Sequence, residues 1–520
     1  MKRMVCGAMI ALCMSAIPGS AASLEEIFGK QAQAFPETVG TPRDRNVRAE
    51  EMRALQQHLA AGRVSQAQKQ PVVVELTSTE RRRINETGNV EQKYFVGVAK
   101  PVGVAVDFTR ANVGATRATN DGGFVWTASV KVDGATALRL HLTGVDLPAG
   151  AKMYVYNLAG QAFGPYTGRG PLGNGELHTN TVFGQELLLQ VESPADADRA
   201  PRMTIAEVGV LGERFVAPRY GAKGFFDDEM KGLIGQASNL CSSNADCVVN
   251  AACQSSSVVN TAKDAVAGLL FQSGASLYIC TGGLIADTVS TSVIPYLLTA
   301  HHCISSSGEA SSLETYFDYE TTCSNPNCTQ PYNNTGDTVG ATIKASGSTS
   351  DYTLVQLAST PASSDGVTTY LGWSSTPIAN TNNAGLYRIS HPKGSPQAYS
   401  EGVVDTSKPT CRTLARGNFI YSRDTVGATE GGSSGSPVVN SAGQIVGQLY
   451  GACGTDVNNV CNSGANATVD GAFAVSYPNL AAFLNPGGGG GCGATGSSCT
   501  SNSQCCSNSC KGSPGAKTCK

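Results

Sequence analysis

The chain has 520 residues, 41% of them hydrophobic, and a formal net charge of -3 at pH 7. This length exceeds one ordinary domain and supplies apolar residues for several cores. Because the net charge is small and no long basic run occurs, composition gives no electrostatic reason to expect nucleic acid or a membrane surface as a partner. We therefore expect neither.

The first residues have the composition of an export signal. Lys2 and Arg3 precede an apolar run from Met4 to Ile17, and small residues follow up to Ala22. The run is shorter than the ~20 apolar residues that a membrane-spanning helix needs. We predict a signal peptide over residues 1–22 and a secreted, extracellular protein.

Cysteines are distributed unevenly along the chain. Two of the 18 lie in the predicted signal, ten lie between Cys241 and Cys461, and six lie between Cys492 and Cys519. Even counts in an exported chain predict disulfide frameworks. Zinc is the alternative, but the short Cys-x-x-Cys pairs of a zinc ribbon are missing. We predict no metal and no cofactor.

Two regions without cysteine follow the signal. Residues 23–92 are predicted to be an N-terminal pro-segment with a helix around Ala49 to Ala61. Residues 93–231 contain short segments in which apolar and polar residues alternate, as in Leu138 to Leu142. This period of two indicates strands with one solvent-exposed face. We predict a β-sandwich pro-domain over residues 93–231.

Residues 232–486 contain few charges, are rich in Ser, Thr, Gly and Val, and again show a strand-and-turn pattern. The pentaglycine run at 487–491 is predicted to be a flexible linker. Residues 492–520 form a cysteine-rich tail, too short for an adequate apolar core, so cross-links must stabilise it.

The stretch GATEGGSSGSPVVN, Gly427 to Asn440, places serine among glycines directly before an apolar run. A serine hydroxyl becomes a good nucleophile when a base takes its proton and when donors stabilise the oxyanion. Glycines allow backbone N–H groups to converge on one point. A histidine base is available in LLTAHHC, Leu297 to Cys303, and an orienting carboxylate in SDYTLVQL at Asp351.

These three motifs, in this order, resemble those of trypsin-like serine proteases, and TAHHC with GSSGSP most resembles the bacterial lysyl endopeptidases. CTGGLI, Cys280 to Ile285, is similar to the strand that precedes the histidine in this family. The resemblance covers residues 232–486. It implies a mainly β fold with two antiparallel Greek-key β-barrels, chymotrypsin-like in arrangement, between the predicted sandwich and the small disulfide-rich tail.

The resemblance also implies roles for individual residues. His302 would be the general base, Asp351 would orient its imidazole, and Ser434 would attack the scissile carbonyl of a protein or peptide substrate. The backbone N–H groups of Gly432 and Ser434 would form the oxyanion hole. His301 would be a neighbour only.

One departure from trypsin concerns activation. Trypsin has an aspartate before its nucleophile, which pairs with the new N-terminal amine, whereas this chain has Ser433. A neutral hydroxyl cannot form that ion pair. We therefore expect the chain's own propeptide to act as a partner of the protease region, either by covering the cleft or by templating folding.

Substrate preference depends on acidic residues. The trypsin specificity position is Ala428 here, whereas lysyl endopeptidases take their acid from the strand after the nucleophile, where Asp470 falls. Glu430 is a second acidic candidate, and Tyr450 is expected to line the pocket. A buried carboxylate would favour lysine or arginine at P1, and the sequence leaves this choice open.

The segment before residue 232 contains basic residues that could be cleavage sites. Lys231-Gly232 would be a self-cleavage site for a lysine-directed enzyme, with Arg219 and Lys223 as alternatives nearby. Such basic residues also occur in any exposed linker.

Disulfide pairings follow from the same resemblance. Cys280 is expected to pair with Cys303, Cys247 with Cys323, and Cys241 with Cys453 or Cys461. The tail resembles cystine-knot miniproteins, which implies three pairs: Cys492–Cys506, Cys499–Cys510 and Cys505–Cys519. A surface- or carbohydrate-binding role and a protective cap are both open for this tail.

A second class of function is a non-catalytic secreted binding protein that keeps the protease scaffold. The complete set of His302, Asp351 and Ser434 favours the peptidase, because such scaffold proteins generally lose one of the three.

Overall fold

The computed structural model describes residues 32–41, 45–85, 88–90, 93–110, 112–212, 244–289, 293–323, 336–361, 363–411, 413–486, 510–513 and 517–519. The predicted signal peptide, the Lys231-Gly232 site with its alternatives, and the pentaglycine linker lie outside these residues. So do Cys241, Cys328 and the first four cysteines of the tail.

The prediction of a mainly β protein is confirmed. The strands before residue 244 are Gln33–Ala34 (β1), Glu37–Thr38 (β2), Val72–Val73 (β3), Gly88–Val90 (β4), Lys93–Ala105 (β5), Ala115–Ala118 (β6), Phe124–Lys131 (β7), Ala137–Asp146 (β8), Lys152–Tyr156 (β9), Ala162–Tyr166 (β10), Leu177–His178 (β11), Val182–Phe183 (β12), Glu186–Ser193 (β13) and Arg202–Leu211 (β14).

The strands from residue 244 onward are Val249–Asn250 (β15), Val266–Ser273 (β16), Ser276–Leu284 (β17), Tyr296–Ala300 (β18), Glu314–Tyr316 (β19), Ala341–Gly347 (β20), Tyr352–Leu357 (β21), Thr369–Tyr370 (β22), Gly372–Ser374 (β23), Gly385–Ser390 (β24), Ala398–Val404 (β25), Phe419–Val426 (β26), Pro437–Val439 (β27), Gln444–Gly454 (β28), Asn466–Ala472 (β29), Cys510–Lys511 (β30) and Thr518–Cys519 (β31).

The α-helices are short except for the first, Arg45–Gly62 (α1), which confirms the helix predicted around Ala49 to Ala61. The others are Ser78–Asn85 (α2), Ser257–Ala265 (α3), Ser307–Ser311 (α4) and Phe473–Leu484 (α5). No helix in the described ranges combines the length and the apolar composition that crossing a membrane requires.

A closed antiparallel barrel carries the serine loop. Its six strands pair in the ring β28-β27-β24-β25-β26-β29, and β29 pairs back with β28. Closure removes free sheet edges, so every strand is fixed by two neighbours. Leu386, Val404, Ile420, Val438 and Val446 form part of the apolar cluster of this barrel.

A second six-stranded unit carries the histidine and the aspartate. The order is β19-β16-β17-β18-β21-β20, and its two ends approach at an isolated bridge between Glu314 and Val339. Ala300, the last residue of β18, pairs with Tyr352, the first residue of β21. Antiparallel pairing therefore brings the residues that follow β18 next to those that precede β21.

The region before residue 213 forms two sheets. One has the order β10-β9-β13-β7-β3, with β6 on β7. The other contains β8, β14 and β5, and β5 continues by antiparallel pairing onto β17 of the histidine-bearing unit. The second sheet therefore crosses the boundary that the sequence predicts at residue 232.

An apolar cluster fills the junction between the two regions. Its members from the earlier region are Tyr94, Val96, Ala137, Phe183 and Leu211, and those from the later region are Leu270, Leu277, Ile279, Tyr316 and Tyr319. All ten side chains are buried, so the junction has the character of a hydrophobic core and not of a loose domain contact.

The short N-terminal segment at residues 32–39 also pairs with the later region. β1 pairs with β23, and β2 pairs with β22. The Ser375 hydroxyl donates to the Ala32 carbonyl at 2.9 Å, and Gln444 Nε2 donates to the Ala34 carbonyl at 3.0 Å.

Four disulfides connect described cysteines: Cys247–Cys461, Cys253–Cys323, Cys280–Cys303 and Cys411–Cys453. Cys280 and Cys303 are paired as the sequence predicts. The predicted pairing of Cys247 with Cys323 is wrong, because the chain between Cys247 and Cys253 leads Cys253, not Cys247, to Cys323. Cys241 cannot pair with Cys453 or Cys461, since both already have other partners. The three predicted pairs in the tail each involve cysteines outside the described residues.

Candidate active site

His302 contacts the carboxylate of Asp351 at two points, through its imidazole and through its backbone N–H. His302 Nδ1 lies 2.7 Å from Asp351 Oδ2, and the His302 backbone N–H donates to Oδ1 at 2.8 Å. Both side chains are largely buried, with 8% and 5% of their surface exposed. A carboxylate at Nδ1 favours the tautomer with the proton on Nδ1, which leaves the Nε2 lone pair free to accept a proton.

Strand geometry positions both residues. Each belongs to the turn at the paired ends of β18 and β21, and the His301 N–H donates to the Asp351 carbonyl at 3.0 Å. Asp351 has a φ of 53°, a left-handed conformation that aspartate adopts more readily than most residues. Gln448 Nε2 from β28 donates to the same carbonyl at 3.2 Å and to the Ser350 carbonyl at 2.7 Å. The aspartate is therefore held from both six-stranded units.

His301 lies outside this pair. Its Nδ1 is 2.7 Å from the Ser346 hydroxyl on β20, so the side chain is directed away from Asp351. The adjoining disulfide between Cys280 and Cys303 ties the histidine turn to β17. Both sulfurs are consumed in that bond, so their proximity to His302 does not provide thiolate ligands for a metal.

The serine loop requires two of its glycines. Gly432 has a φ of 96° and Gly435 a φ of 80°. A Cβ on Gly435 would lie 2.2 Å from Thr299 Oγ1 and 2.5 Å from the Thr281 carbonyl oxygen. These contacts are far inside van der Waals distance, so the loop can approach β17 and β18 only with glycine at this position.

Backbone contacts bring Ser434 beside the histidine turn. The Thr281 N–H on β17 donates to the Ser434 carbonyl at 2.8 Å, and Cys303 Sγ lies 3.6 Å from the same oxygen. The Gly435 N–H donates to the Leu449 carbonyl at 2.8 Å, which anchors the loop to β28. The serine loop is thus attached to β17 at Thr281 and contacts the histidine turn at Cys303.

The Ser434 side chain is buried to all but 8% of its surface. His302 Nε2 is buried and has no hydrogen-bond partner within the described residues, so it does not bond the Ser434 hydroxyl in this conformation. Hydrogen bonds of catalytic groups are often long or absent without substrate and form in the complex. Among described groups, the N–H donors of Gly432 and Ser434 make no hydrogen bond to a backbone carbonyl, which leaves them available to an oxyanion.

Tyr450 lies against the histidine. Its ring centroid is 5.6 Å from that of His302 at an interplanar angle of 73°, and 5.5 Å from that of Phe419. Edge-to-face packing of this kind is favourable for aromatic rings. β28 therefore passes directly in front of the imidazole.

Glu430 is engaged by three groups inside the protein. Its carboxylate accepts hydrogen bonds from Asn244 Nδ2 at 2.7 Å and from the Ala245 N–H at 3.2 Å, and it pairs with Lys393 Nζ at 2.8 Å. These contacts link residues 244–245, the beginning of the described later region, to the serine loop. A substrate-binding role for Glu430 remains a prediction, and its carboxylate is largely occupied.

Asp470 also has an internal partner. It lies on β29 with none of its surface exposed, and Oδ1 accepts a hydrogen bond from Arg388 Nη2 on β24 at 2.5 Å. Burial raises the pKa of Asp470, while the Arg388 guanidinium opposes that rise. The sequence pattern that suggested Asp470 contains no sign of this arginine, which is distant in the chain and enters the same barrel from another strand.

A second carboxylate near Asp470 was not singled out from the sequence. Asp424 lies on β26, and its Oδ2 accepts a hydrogen bond from Thr468 Oγ1 at 2.7 Å. Burial raises the pKa of Asp424 to about 6. In the sequence, Asp424 is visible only as one polar residue in the segment YSRDTV. That pattern is too weak to identify it as a buried carboxylate.

Comparisons with known proteins agree with the motif-based resemblance. A family model described as the C-terminal domain of lysyl endopeptidase matches residues 238–466. The lysyl endopeptidase of Pseudomonas aeruginosa is 35% identical over 221 residues, which is 40% of this chain and 46% of that protein. The chain thus aligns with less than half of the length of this curated relative. The resemblance of the later region to bacterial lysyl endopeptidases is confirmed.

Two solved structures are similar to part of this chain. The Rv3671c protease of M. tuberculosis in its active form is 15% identical, with a TM-score of 0.28, and the match covers 44% of this chain and 84% of that one. The HtrA-type protease AlgW with a tripeptide is 14% identical, with a TM-score of 0.30, over 44% of this chain and 63% of that one.

Proposed function

We propose that this chain is a secreted serine endopeptidase that is made as a precursor. The observation that supports it most directly is the pairing of His302 Nδ1 with Asp351 Oδ2 at 2.7 Å, beside a glycine-bounded loop that carries Ser434. The family-model match over residues 238–466 and the 35% identity to a lysyl endopeptidase over 221 residues point in the same direction.

The chemistry follows from the arrangement of these groups. Ser434 Oγ attacks the scissile carbonyl carbon while His302 Nε2 takes the hydroxyl proton, and Asp351 stabilises the imidazolium that results. The carbonyl oxygen becomes an oxyanion that accepts hydrogen bonds from the N–H groups of Gly432 and Ser434. Nε2–H then protonates the leaving amine as the C–N bond breaks. A water molecule then attacks the carbonyl carbon of the acyl-enzyme with the same proton transfers through His302. The acid product leaves, and the Ser434 hydroxyl is regenerated.

A serine-directed fluorophosphonate tests this function in the secreted protein. We expect covalent labelling of the wild type, no labelling of Ser434→Ala, and labelling of a control in which the buried Ser436 is replaced by alanine. Labelling that persists in Ser434→Ala, or a wild type that neither reacts nor cleaves any peptide, would favour a non-catalytic scaffold.

For substrate preference we propose a basic residue at P1, lysine or arginine. Support comes from the acidic groups of the serine-bearing barrel and from the identity to a relative known as a lysyl endopeptidase. Cleavage of a peptide library, with the products identified by mass, would measure this preference. Random P1 residues among the products would contradict it.

Maturation is proposed to occur by cleavage near Lys231, with the protease itself as the agent. Expression of Ser434→Ala should then yield an uncut precursor, whereas the wild type yields a shorter chain. A precursor that is cut equally in both proteins would assign the processing to another protease.

The earlier region is proposed to act as a partner of the protease region through folding. The contacts that support this join β5 to β17 and residues 180–181 to β19. Glu314, fully buried on β19, accepts hydrogen bonds from the Thr181 N–H at 2.9 Å, Thr181 Oγ1 at 2.6 Å and Asn180 Nδ2 at 3.1 Å. Without these donors the carboxylate would be buried and unsatisfied, which costs several kcal/mol.

An ion pair adds to this junction. Lys93 Nζ contacts Glu309, which also caps α4 through the N–H groups of Ser305 and Ser306. Expression of residues 232–520 without the earlier region tests the folding role. A low yield that recovers when residues 23–231 are supplied as a separate chain is expected, and full activity without them would refute it.

A further inference from the structure

The turn at residues 391–395 packs directly against the serine loop. A Cβ on Gly432 would lie 2.9 Å from the His391 carbonyl oxygen and 3.0 Å from the Lys393 backbone nitrogen. The Lys393 N–H donates to the carbonyl of Gly431 at 2.6 Å. The turn therefore contacts the peptide unit that joins Gly431 to Gly432.

This contact fixes the direction of an N–H group. The carbonyl of Gly431 and the N–H of Gly432 belong to one planar trans peptide unit, so they point in opposite directions. Because neither residue has a Cβ, the dihedral angles on both sides of this unit are less restricted than elsewhere. Rotation of the unit would exchange its carbonyl and its N–H, and the oxyanion hole proposed above would lose one donor. The hydrogen bond from Lys393 opposes that rotation.

Asn244 joins this turn to the serine loop. Its Nδ2 donates to the Pro392 carbonyl at 3.2 Å and to the Glu430 carboxylate at 2.7 Å, and its Oδ1 accepts a hydrogen bond from Ser395 Oγ at 2.8 Å. Asn244 is only 6% exposed, and Ser395 is fully buried. One side chain thus bonds two points of the turn and one carboxylate of the serine loop.

Glu430 adds a charged link to the same turn. Its Oε1 accepts a hydrogen bond from the Ala245 N–H at 3.2 Å and pairs with Lys393 Nζ at 2.8 Å, and its side chain is 6% exposed. The Ser433 N–H donates to the Glu430 carbonyl at 3.0 Å, which closes a turn in front of the candidate nucleophile. Because a buried carboxylate needs its donors, displacing residues 244–245 would destabilise this arrangement.

Residues 244–250 are anchored to the barrel that carries the serine loop. The disulfide Cys247–Cys461 joins this segment to the chain between β28 and β29, and β15 pairs with β25. The contacts to Glu430 use a side-chain amide and an internal backbone N–H, so they need no free terminal amine. They support the serine loop in a chain whose Ser433 cannot form the ion pair that trypsin uses.

We propose that Asn244 is a positioning residue for the oxyanion hole. Through Glu430 and the turn at residues 391–395, it keeps the Gly431–Gly432 peptide unit in the orientation that offers its N–H to the oxyanion. This inference rests on the proposed peptidase function and names the residue that orients one of its two oxyanion donors. Asn244 acts through these groups and does not contact the reacting atoms.

The test compares Asn244→Ala with Asn250→Ala in the full chain. Both asparagines are 6% exposed and lie in the same segment, but Asn250 donates to the Thr322 carbonyl at 3.1 Å and accepts from the Ala252 N–H at 2.9 Å. On the peptide that the wild type cleaves best, Asn244→Ala should lower kcat roughly 10- to 100-fold, because the peptide unit is productively oriented for only part of the time. KM should stay within a few-fold. Asn250→Ala should change neither value by more than a few-fold.

Inhibitor binding separates an effect on the oxyanion hole from damage to the substrate pocket. A peptide aldehyde forms a tetrahedral adduct with a serine nucleophile, whereas the matching peptide alcohol occupies the same subsites without forming an oxyanion. Asn244→Ala should lose affinity for the aldehyde by about the same factor as kcat and keep its affinity for the alcohol. Equal losses for both inhibitors, or a kcat like that of Asn250→Ala, would overturn the proposal.

Lys393→Met replaces Asn244→Ala in the test if the latter does not fold. The Lys393 side chain is 32% exposed, so this change removes the ion pair with Glu430 while disturbing little packing. Its kcat and its affinity for the aldehyde should fall several-fold, with unchanged affinity for the alcohol, and wild-type values for all three would overturn the proposal. A wild type that does not react with the fluorophosphonate would instead overturn the peptidase function itself.

Discussion

Asp351 holds His302 through both of its carboxylate oxygens, one on the imidazole Nδ1 and the other on the histidine's own backbone N–H. The backbone contact fixes the turn, and the side-chain contact fixes the tautomer. The aspartate therefore serves both local structure and the proposed chemistry.

Replacing Asp351 by asparagine separates these two functions. An asparagine amide can still occupy the site, but it carries no charge to stabilise an imidazolium. Its N–H can also donate to His302 Nδ1, which favours the imidazole tautomer with the proton on Nε2. We expect kcat to fall by about 10⁴-fold, with little change in substrate KM. His301→Ala, which removes a side chain that contacts Ser346 and not Asp351, should stay within a few-fold of wild type. Equal losses in both variants would contradict the assignment of His302 as the base.

Gly435→Ala should prevent correct folding of the serine loop. The added Cβ would lie 2.2 Å from Thr299 Oγ1 in a left-handed backbone conformation, so the loop would have to leave β18. Gly417→Ala is the matched control, because it also has a positive φ but no atom within 4 Å of the added carbon. Thermal unfolding should show a small loss for Gly417→Ala, about 1 kcal/mol, and a much larger one for Gly435→Ala.

Loss of the Cys280–Cys303 disulfide should weaken the histidine turn. The bond closes a loop with a sequence separation of 23, so replacing both cysteines by alanine should cost about 3 kcal/mol of unfolding free energy. Activity at low temperature should survive in part, because the His302–Asp351 contacts remain. Denaturant unfolding with parallel rate measurements distinguishes this outcome from complete loss of structure.

The junction between the two regions should weaken in acid. Burial tends to raise the pKa of Glu309, but hydrogen bonds from Lys93 and the Ser305 N–H outweigh it and lower the pKa from 4.5 to about 2. A lowered pKa adds stability above the unfolded value, and this stability is lost as pH falls from about 4.5 towards 2. Glu309→Gln should remove that dependence, as measured by the melting temperature across this range.

The pH dependence of stability that Asp424 contributes has the opposite sign. Its pKa is raised from 3.8 to about 6, so its contribution to folding is fully present below pH 3.8 and is lost as pH rises through about 6. Asp424→Asn should therefore be more stable than wild type at pH 7 and similar to it at pH 3.5. Equal stability of the two proteins at pH 7 would contradict a raised pKa of Asp424.

The sequence alone determined the local chemistry of this protein. The motifs around His302, Asp351 and Ser434, the glycines of the serine loop and the alternating strands are properties of neighbouring residues, so they are visible without coordinates. The tertiary structure decided which distant groups meet. Arg388 reaches Asp470 because both belong to strands of the same closed barrel. Thr181 reaches Glu314 because β5 extends the sheet of β17. Cys253 pairs with Cys323, the partner that was expected for Cys247. These contacts join residues far apart in the chain, and a short-range pattern contains no information about the path that brings them together.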